Sequence, residues 1–245
     1  VLGAADKSFL FDFADRLISS DASGALADTL AAIGKTVKTG WIAVAGQNAA
    51  DGAALAAWVK TQDNTRKKTY KAVCYNLATA PDDMHVVNYV NESVTYTDDR
   101  GTQDGVTYLP SLLAIFAVCN VTRGCTNYEC SNLSEVVEVD DNDAALGTGK
   151  FILFNGEDNT VRIAQGINSM TTTDGKTRTE DMKFIETVEA MDMMRDDITA
   201  VFRGTYLGNY RNTRDNQMLL LSSLNMSYFR QLMQQNILDP DFTNA

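Results

Sequence analysis

The sequence predicts a mixed α/β protein. Three observations carry that prediction: helical and strand patterns alternate through the first half, a hairpin pattern lies between residues 149 and 168, and two long amphipathic helical patterns follow residue 181. The 245 residues allow one large domain or two modest ones. With 44% apolar and 22% charged residues, the composition is that of a globular chain.

In chain order, residues 7–18 read as a helix of mixed pattern. Asp21 to Lys35 is clearer, with Leu26, Leu30 and Ile33 on one face and Gly34 near the stop. Trp41 to Ala45 is a continuous apolar run before Gly46, a buried strand. Asp51 to Lys60 reads as a helix with Leu55, Trp58 and Val59 together, and Tyr70 to Tyr75 is again a strand. Helix, strand, helix, strand at this spacing is the pattern of a crossover-linked parallel sheet. His85 to Val90 and Ser93 to Thr97 are expected to extend it, with Asp98 to Gly105 a polar loop. Pro110 suits a helix start, and the helix continues to Val121. Glu135 to Val139 reads as a strand and Asp140 to Gly149 as an acidic connector. A composition shift there places the domain boundary near residue 147, giving domains 1–146 and 147–245.

The second part opens with the hairpin Gly149 to Gly156 and Asn159 to Asn168, whose loop is rich in turn formers. A polar loop, Met170 to Thr179, leads to a helix from Asp181 to Leu207. Its apolar stripe is Phe184, Val188, Met191, Met194, Ile198, Val201 and Phe202, and Gly208 is the stop. A second helix from Asp215 to Asn236 carries Leu221, Leu224, Tyr228 and Leu232 in register.

The net charge of −11 argues against a nucleic-acid surface, since phosphate binding needs a clustered positive field. The basic knot Arg66-Lys67-Lys68 reads as a solvated helix end. No apolar run approaches the roughly 20 residues of a membrane span. No signal-peptide pattern is visible, although the chain starts at Val1 without a Met, which leaves room for a missing leader or segment.

Motifs for chemistry are weak. Gly147-Thr-Gly-Lys-Phe151 lacks the distant glycine and the following Ser or Thr of a phosphate loop, so it reads as a turn leading into a strand. His85 is the only histidine; it excludes two-histidine zinc motifs, has no nucleophile elbow beside it, and reads as structural or surface. Asp140 to Asp143 lacks the turn glycine and the bidentate Glu of a calcium loop. Asp192, Asp196 and Asp197 are expected along the outer side of the first long helix, salt-bridged to Arg195 and Arg203. Met182, Met191, Met193 and Met194 read as core filler, with self-association second. Cys74, Cys119, Cys125 and Cys130 lack zinc spacing; Cys125 and Cys130 are close enough in sequence to cross-link, but reduced thiols are the expectation. No catalytic, cofactor or metal residue is assigned.

Taken in order, these segments resemble the contractile tail sheath proteins of phages and prophage particles, particularly the short type of Gram-positive bacteria. The resemblance runs over most of residues 23–238. Gly149 to Phe154, Val161 to Ser169, Phe184 to Ile198, Tyr206 to Gly208 and Asn216 to Phe229 carry it best. In the first half Gly40 to Val44, Ala57 to Lys60, Tyr70 to Tyr75 and the helix Leu109 to Val121 fit. The resemblance implies an α/β domain of subtilisin-like topology without a triad, then a C-terminal domain with the hairpin and two long helices. It implies a non-enzymatic subunit of the virion's tail sheath, assembled in the host cytoplasm and needing no cofactor. The implied partners are other copies of the chain, joined by strand-adding terminal arms, the tail tube protein, the baseplate and the tail terminator. Nucleic acid and membrane insertion are not implied. The sequence begins after the family's N-terminal region and stops before its C-terminal strand, so the arms are expected to lie outside it. The rival expectations are an α/β hydrolase-like enzyme using His85 or the carboxylates near Asp192, and another tail component such as a baseplate or tube protein.

Overall fold

A parallel sheet forms where the sequence alternates helix and strand. The computed structural model describes residues 25–119, 121 and 123–242, and the helix expected over 7–18 lies outside them. Helix α1 (Ala25–Thr36) leads to β1 (Thr39–Ile42), and α2 (Ala49–Thr61) crosses back to β2 (Thr69–Tyr75). Asn48 starts α2, its side chain accepting the Asp51 N–H at 2.9 Å. A π-helical turn, Gln62–Arg66, extends α2 and ends at Lys67, whose φ of 54° is left-handed. Strand β3 (Val86–Tyr89) and, much later in the chain, β7 (Lys150–Phe151) complete a sheet of order β1-β2-β3-β7, parallel throughout.

Both faces of this sheet are covered, which is why β2 is buried from Thr69 to Cys74. Tyr70, Ala72 and Cys74 share one core with Leu30 and Ile33 of α1 and Leu55 and Val59 of α2. On the alternate face Trp41 stacks against Phe116 of α3 (Leu109–Val118) at 4.7 Å, and Phe116 meets Phe151 edge-on at 5.4 Å. Burying a Leu or Val such as Leu55 or Val59, both 0% exposed, contributes about 1.5–3 kcal/mol each.

Five expectations are corrected. Strand β4 (Ser93–Tyr96) does not extend the parallel sheet. It follows β3 too closely for the crossover that a parallel neighbour needs. It pairs antiparallel with β5 (Thr102–Asp104), in the segment expected as a loop, and with β6 (Leu133–Val136). Helix α3 ends at Val118, short of Val121. The acidic connector contains α4 (Asn142–Gly147), started by Asp141, whose carboxylate accepts the Ala144 N–H at 2.9 Å. The first hairpin arm is divided: Lys150 and Phe151 pair with β3, while β8 (Leu153–Asn155) pairs with β9 (Val161–Ile163).

Side-chain amides, one buried and one exposed, join these sheets. Asn91, 0% exposed, accepts the Leu153 N–H at 2.8 Å and donates to Leu153 O at 2.9 Å and Val137 O at 3.0 Å. Asn155 treats Val136 likewise, accepting at 3.0 Å and donating at 2.9 Å. Each side chain supplies the donor and acceptor that a neighbouring strand would otherwise present.

The described residues form two compact units: 25–118 with 125–185, and 119, 121 and 123–124 with 186–242. The boundary expected near 147 falls within the first unit, because β7 is a strand of the parallel sheet. The second unit is helical. Helix α5 (Ile185–Val201) enters it and ends in a π-helical turn, Phe202–Tyr206; α6 (Arg214–Ser223) continues through another, Leu224–Phe229, into α7 (Arg230–Gln234). Phe184, expected in the first long helix, is extended and precedes it. The result is a mixed α/β protein with a parallel sheet and long C-terminal helices.

Candidate functional site

The residues singled out for chemistry are dispersed and already engaged in holding the fold. His85 is 2% exposed at the entry to β3; its backbone N–H donates to the Asp83 carboxylate at 2.9 Å, and its Nδ1 lies 3.8 Å from the same oxygen. Ser169, 0% exposed, donates its hydroxyl to Asp83 O at 3.0 Å and so ties two loops together. Gly149 lies at φ 72°, and a Cβ there would stand 2.9 Å from Ser169 O, so that glycine serves a turn and a close approach. Asp141 caps α4, as described above. Lys68 of the basic knot donates to Gly34 O and to the Tyr70 hydroxyl, the latter at 3.1 Å, and is bound into the fold.

The acidic face of α5 differs from expectation. Asp192 is 5% exposed, not on the outer side, and lies 3.2 Å from Arg195 Nη2. Asp197 is exposed and accepts the Tyr228 hydroxyl at 2.7 Å, linking α5 to the helix that follows α6. Burial, then the hydrogen bond to the Asp197 carboxylate and its charge, push the Tyr228 phenol up. The four cysteines are free; burial pushes the Cys74 thiol up to about 12 and the Cys130 thiol to about 11, so neither is an activated nucleophile. Among the described residues no three His, Cys, Asp or Glu side chains converge as metal ligands. A cavity of about 220 Å³ in the first unit is lined by Leu146, Gly149, Met170, Phe184 and the Glu180–Lys183 ion pair, among others, and its lining holds no His, Cys or Ser. It lacks a nucleophile–base pair.

Two features escaped the sequence reading. Asp82, at φ 49°, clasps the Thr/Asp/Gly loop: its carboxylate accepts the N–H groups of Thr171 and Thr172 at 2.8 and 2.9 Å and a two-pronged pair from Arg178 at 3.0 and 3.1 Å. A separation of 96 residues hides such a partner from any local pattern. The second is the outer surface of the helical unit. Of twelve exposed large apolar side chains among the described residues, eight lie between Val201 and Met226. Leu221, expected inward, is 44% exposed, whereas Leu224 and Tyr228 are half-buried and Leu232 is buried. The helix is apolar on more than one side, so one face packs and another remains outward. Such a surface is suited to holding another macromolecule.

Comparison with known proteins agrees with that character. Residues 177–245 match the phage tail sheath C-terminal domain family. The fold matches the sheath tail protein of Desulfitobacterium hafniense with a TM-score of 0.78 at 21% identity, over 88% of this chain and 50% of that one. It matches the sheath tail protein of Listeria innocua with a TM-score of 0.74 at 18% identity, over 89% and 50%. The contracted helical sheath of the anti-feeding prophage gives a TM-score of 0.65 at 14% identity, over 88% and 61%. The chain thus spans about half the length of the two sheath tail proteins. No curated protein matches it in sequence. The resemblance to phage tail sheath proteins is met in both the C-terminal family match and the fold.

Proposed function

We propose that this chain is the body of a structural subunit of a contractile phage tail sheath. Copies polymerise as a helical sheath around a tail tube, and contraction drives the tube through the host envelope. The observation that carries the reading is the joint match: the sheath tail protein fold extends over 88% of the chain, and the tail sheath C-terminal family covers residues 177–245. The subunit is non-enzymatic, its partners are further copies, the tube protein, the baseplate and the tail terminator, and its place is the virion tail after assembly in the host cytoplasm. In this reading residues 1–146 correspond to the α/β sheath domain of subtilisin-like topology and 147–245 to the C-terminal domain with its hairpin and two long helices. Across that division of the sequence, β7 is lent to the parallel sheet of the first unit.

The physics of the fold supports such a role. A contact between unlike surfaces, repeated by a screw operation, gives an open helical assembly. Strand β1 pairs only with β2, and β7 only with β3, so the parallel sheet has both edges open among the described residues. Open edges accept strands from terminal arms by main-chain hydrogen bonding. In the contracted state more interface is buried than in the extended one, and that difference drives the stroke. The test is electron microscopy of the purified chain, alone and with purified tube protein as template. Hollow tubes, rings or helical polymers are expected; discrete globular particles under every condition would remove the reading.

A further inference from the structure

We infer that the outward face of the helical unit, from Phe202 to Met226, docks on the acidic β6–α4 segment of a second copy of this chain. The inference rests on the sheath reading and adds to it which surfaces meet. Phe202, Leu207, Tyr210, Met218, Leu219 and Met226 are between 44% and 62% exposed. They follow one another along the end of α5, the turn after it, and α6 with its π-helical continuation. Leu220 and Leu224, by contrast, are half-buried in the same helix, so the outward residues are not its packing face.

Charge identifies the occupant. Residues 201–229 carry Arg203, Arg211 and Arg214 against Asp215 alone, a local charge of +2 in a chain of −11. All three arginines are exposed, and none forms an ion pair with a described residue. The complementary surface is present on the chain itself. Residues 133–144 hold Glu135, Glu138, Asp140, Asp141 and Asp143 with no base, all five exposed, and Val137 stands 51% exposed among them. An apolar surface with a basic rim matches an acidic surface with an apolar centre. Complementary fields of this kind choose the partner and the register while the apolar contact supplies affinity. Because the two surfaces are different, each copy keeps one free after binding, and the contact propagates.

The test follows from that polarity, using sedimentation velocity on the 245-residue chain over a concentration series. One variant carries Leu207→Ser, Arg211→Gln and Arg214→Gln; the other carries Glu135→Gln, Asp140→Asn and Asp143→Asn. All six positions are exposed, and circular dichroism melts check the fold. Each variant alone is expected to self-associate at least about tenfold more weakly than the parent. Mixed in equal amounts, they are expected to form a one-to-one complex that does not grow, since one intact surface of each remains. Polymers of either variant indistinguishable from the parent's overturn this inference and leave the sheath reading standing. A parent that never associates, alone or on tube protein, overturns both. Retained self-association with lost binding to purified tube protein assigns the basic face to the tube and also overturns the inference.

Discussion

Asp82 shows how one side chain fixes a loop that local sequence leaves free. Its partial burial opposes the charge, but the N–H groups of Thr172 and Thr171 and the Arg178 guanidinium outweigh that cost and hold the carboxyl well below its usual range. The folded pKa is therefore lower than the unfolded value of about 3.9, so the stabilisation is complete above it and is lost as pH falls through the folded value. Hydrogen bonds to charged groups contribute roughly 1.5–3 kcal/mol. Asp82 and Arg178 are 31% and 36% exposed, and solvent screening reduces the expected cost of Asp82→Asn to about 1 kcal/mol. Urea midpoints of the parent and this variant should differ by a constant amount from about pH 8 to pH 5, begin to converge below about pH 4 and go on converging as the pH falls through the lower folded value. A gap that stays constant into acid would mean that shape, and not the charge, anchors the loop.

Between elements, the joints are side-chain amides instead of continuous strand pairing, and the Asn91 joint is buried. Asn91→Ala leaves three main-chain groups, Leu153 N–H, Leu153 O and Val137 O, without their side-chain partners. Unsatisfied buried groups cost about 1–3 kcal/mol apiece before relaxation, so a loss of about 3 kcal/mol is expected. At roughly 2–4 °C per kcal/mol for a chain of this size, a thermal melt should fall by about 6–12 °C. A drop of only a degree or two would show that strand contacts carry the joint without the amide. The same joints explain what the sequence made legible. The strand at Tyr70 to Tyr75 and the helix over Leu55 and Val59 were readable because burial on the sheet imposes a local pattern. The membership of β4 was not, because alternation marks a strand but does not name its neighbour. The short helix α4 was hidden by its acids, although Asp141 with Ala144 is a cap with a local signal. In the candidate surface, the π-helical turn at Leu224–Phe229 shifts the helical register, and apolar residues on several sides left no single stripe to choose. Leu221, in register with Leu224 and Tyr228 in the sequence, is exposed, and in the preceding long helix Asp192 is buried although its charge points outward in a local pattern.

At the scale of the whole molecule, the proposed association of copies has to overcome a net charge of −11 on each. Like charge distributed over the surface keeps copies apart, and a local basic, apolar region offers the least repulsive approach. The pH response of this balance follows from composition. Histidine is the side chain that ordinarily changes charge between pH 5 and 8, and the chain has one, buried at the entry to β3. The Cys74 and Cys130 thiols, at about 12 and about 11, stay neutral throughout that window. Carboxylates outnumber lysine and arginine, 32 to 21, and begin to neutralise in bulk only below about pH 5. Self-association measured by light scattering at fixed ionic strength should therefore be nearly flat from pH 8 to about 6 and rise as the pH approaches the isoelectric point near 4.5. A sharp step between pH 6 and 7 would contradict this, because carboxylate neutralisation sets in only at lower pH. The flat region also separates two contributions: association there reports the fixed complementarity of the basic and acidic surfaces, whereas the rise in acid reports only the loss of general repulsion. The substitutions at Arg211 and Arg214 should consequently act strongly at pH 7 and progressively less as the acids that they face become protonated.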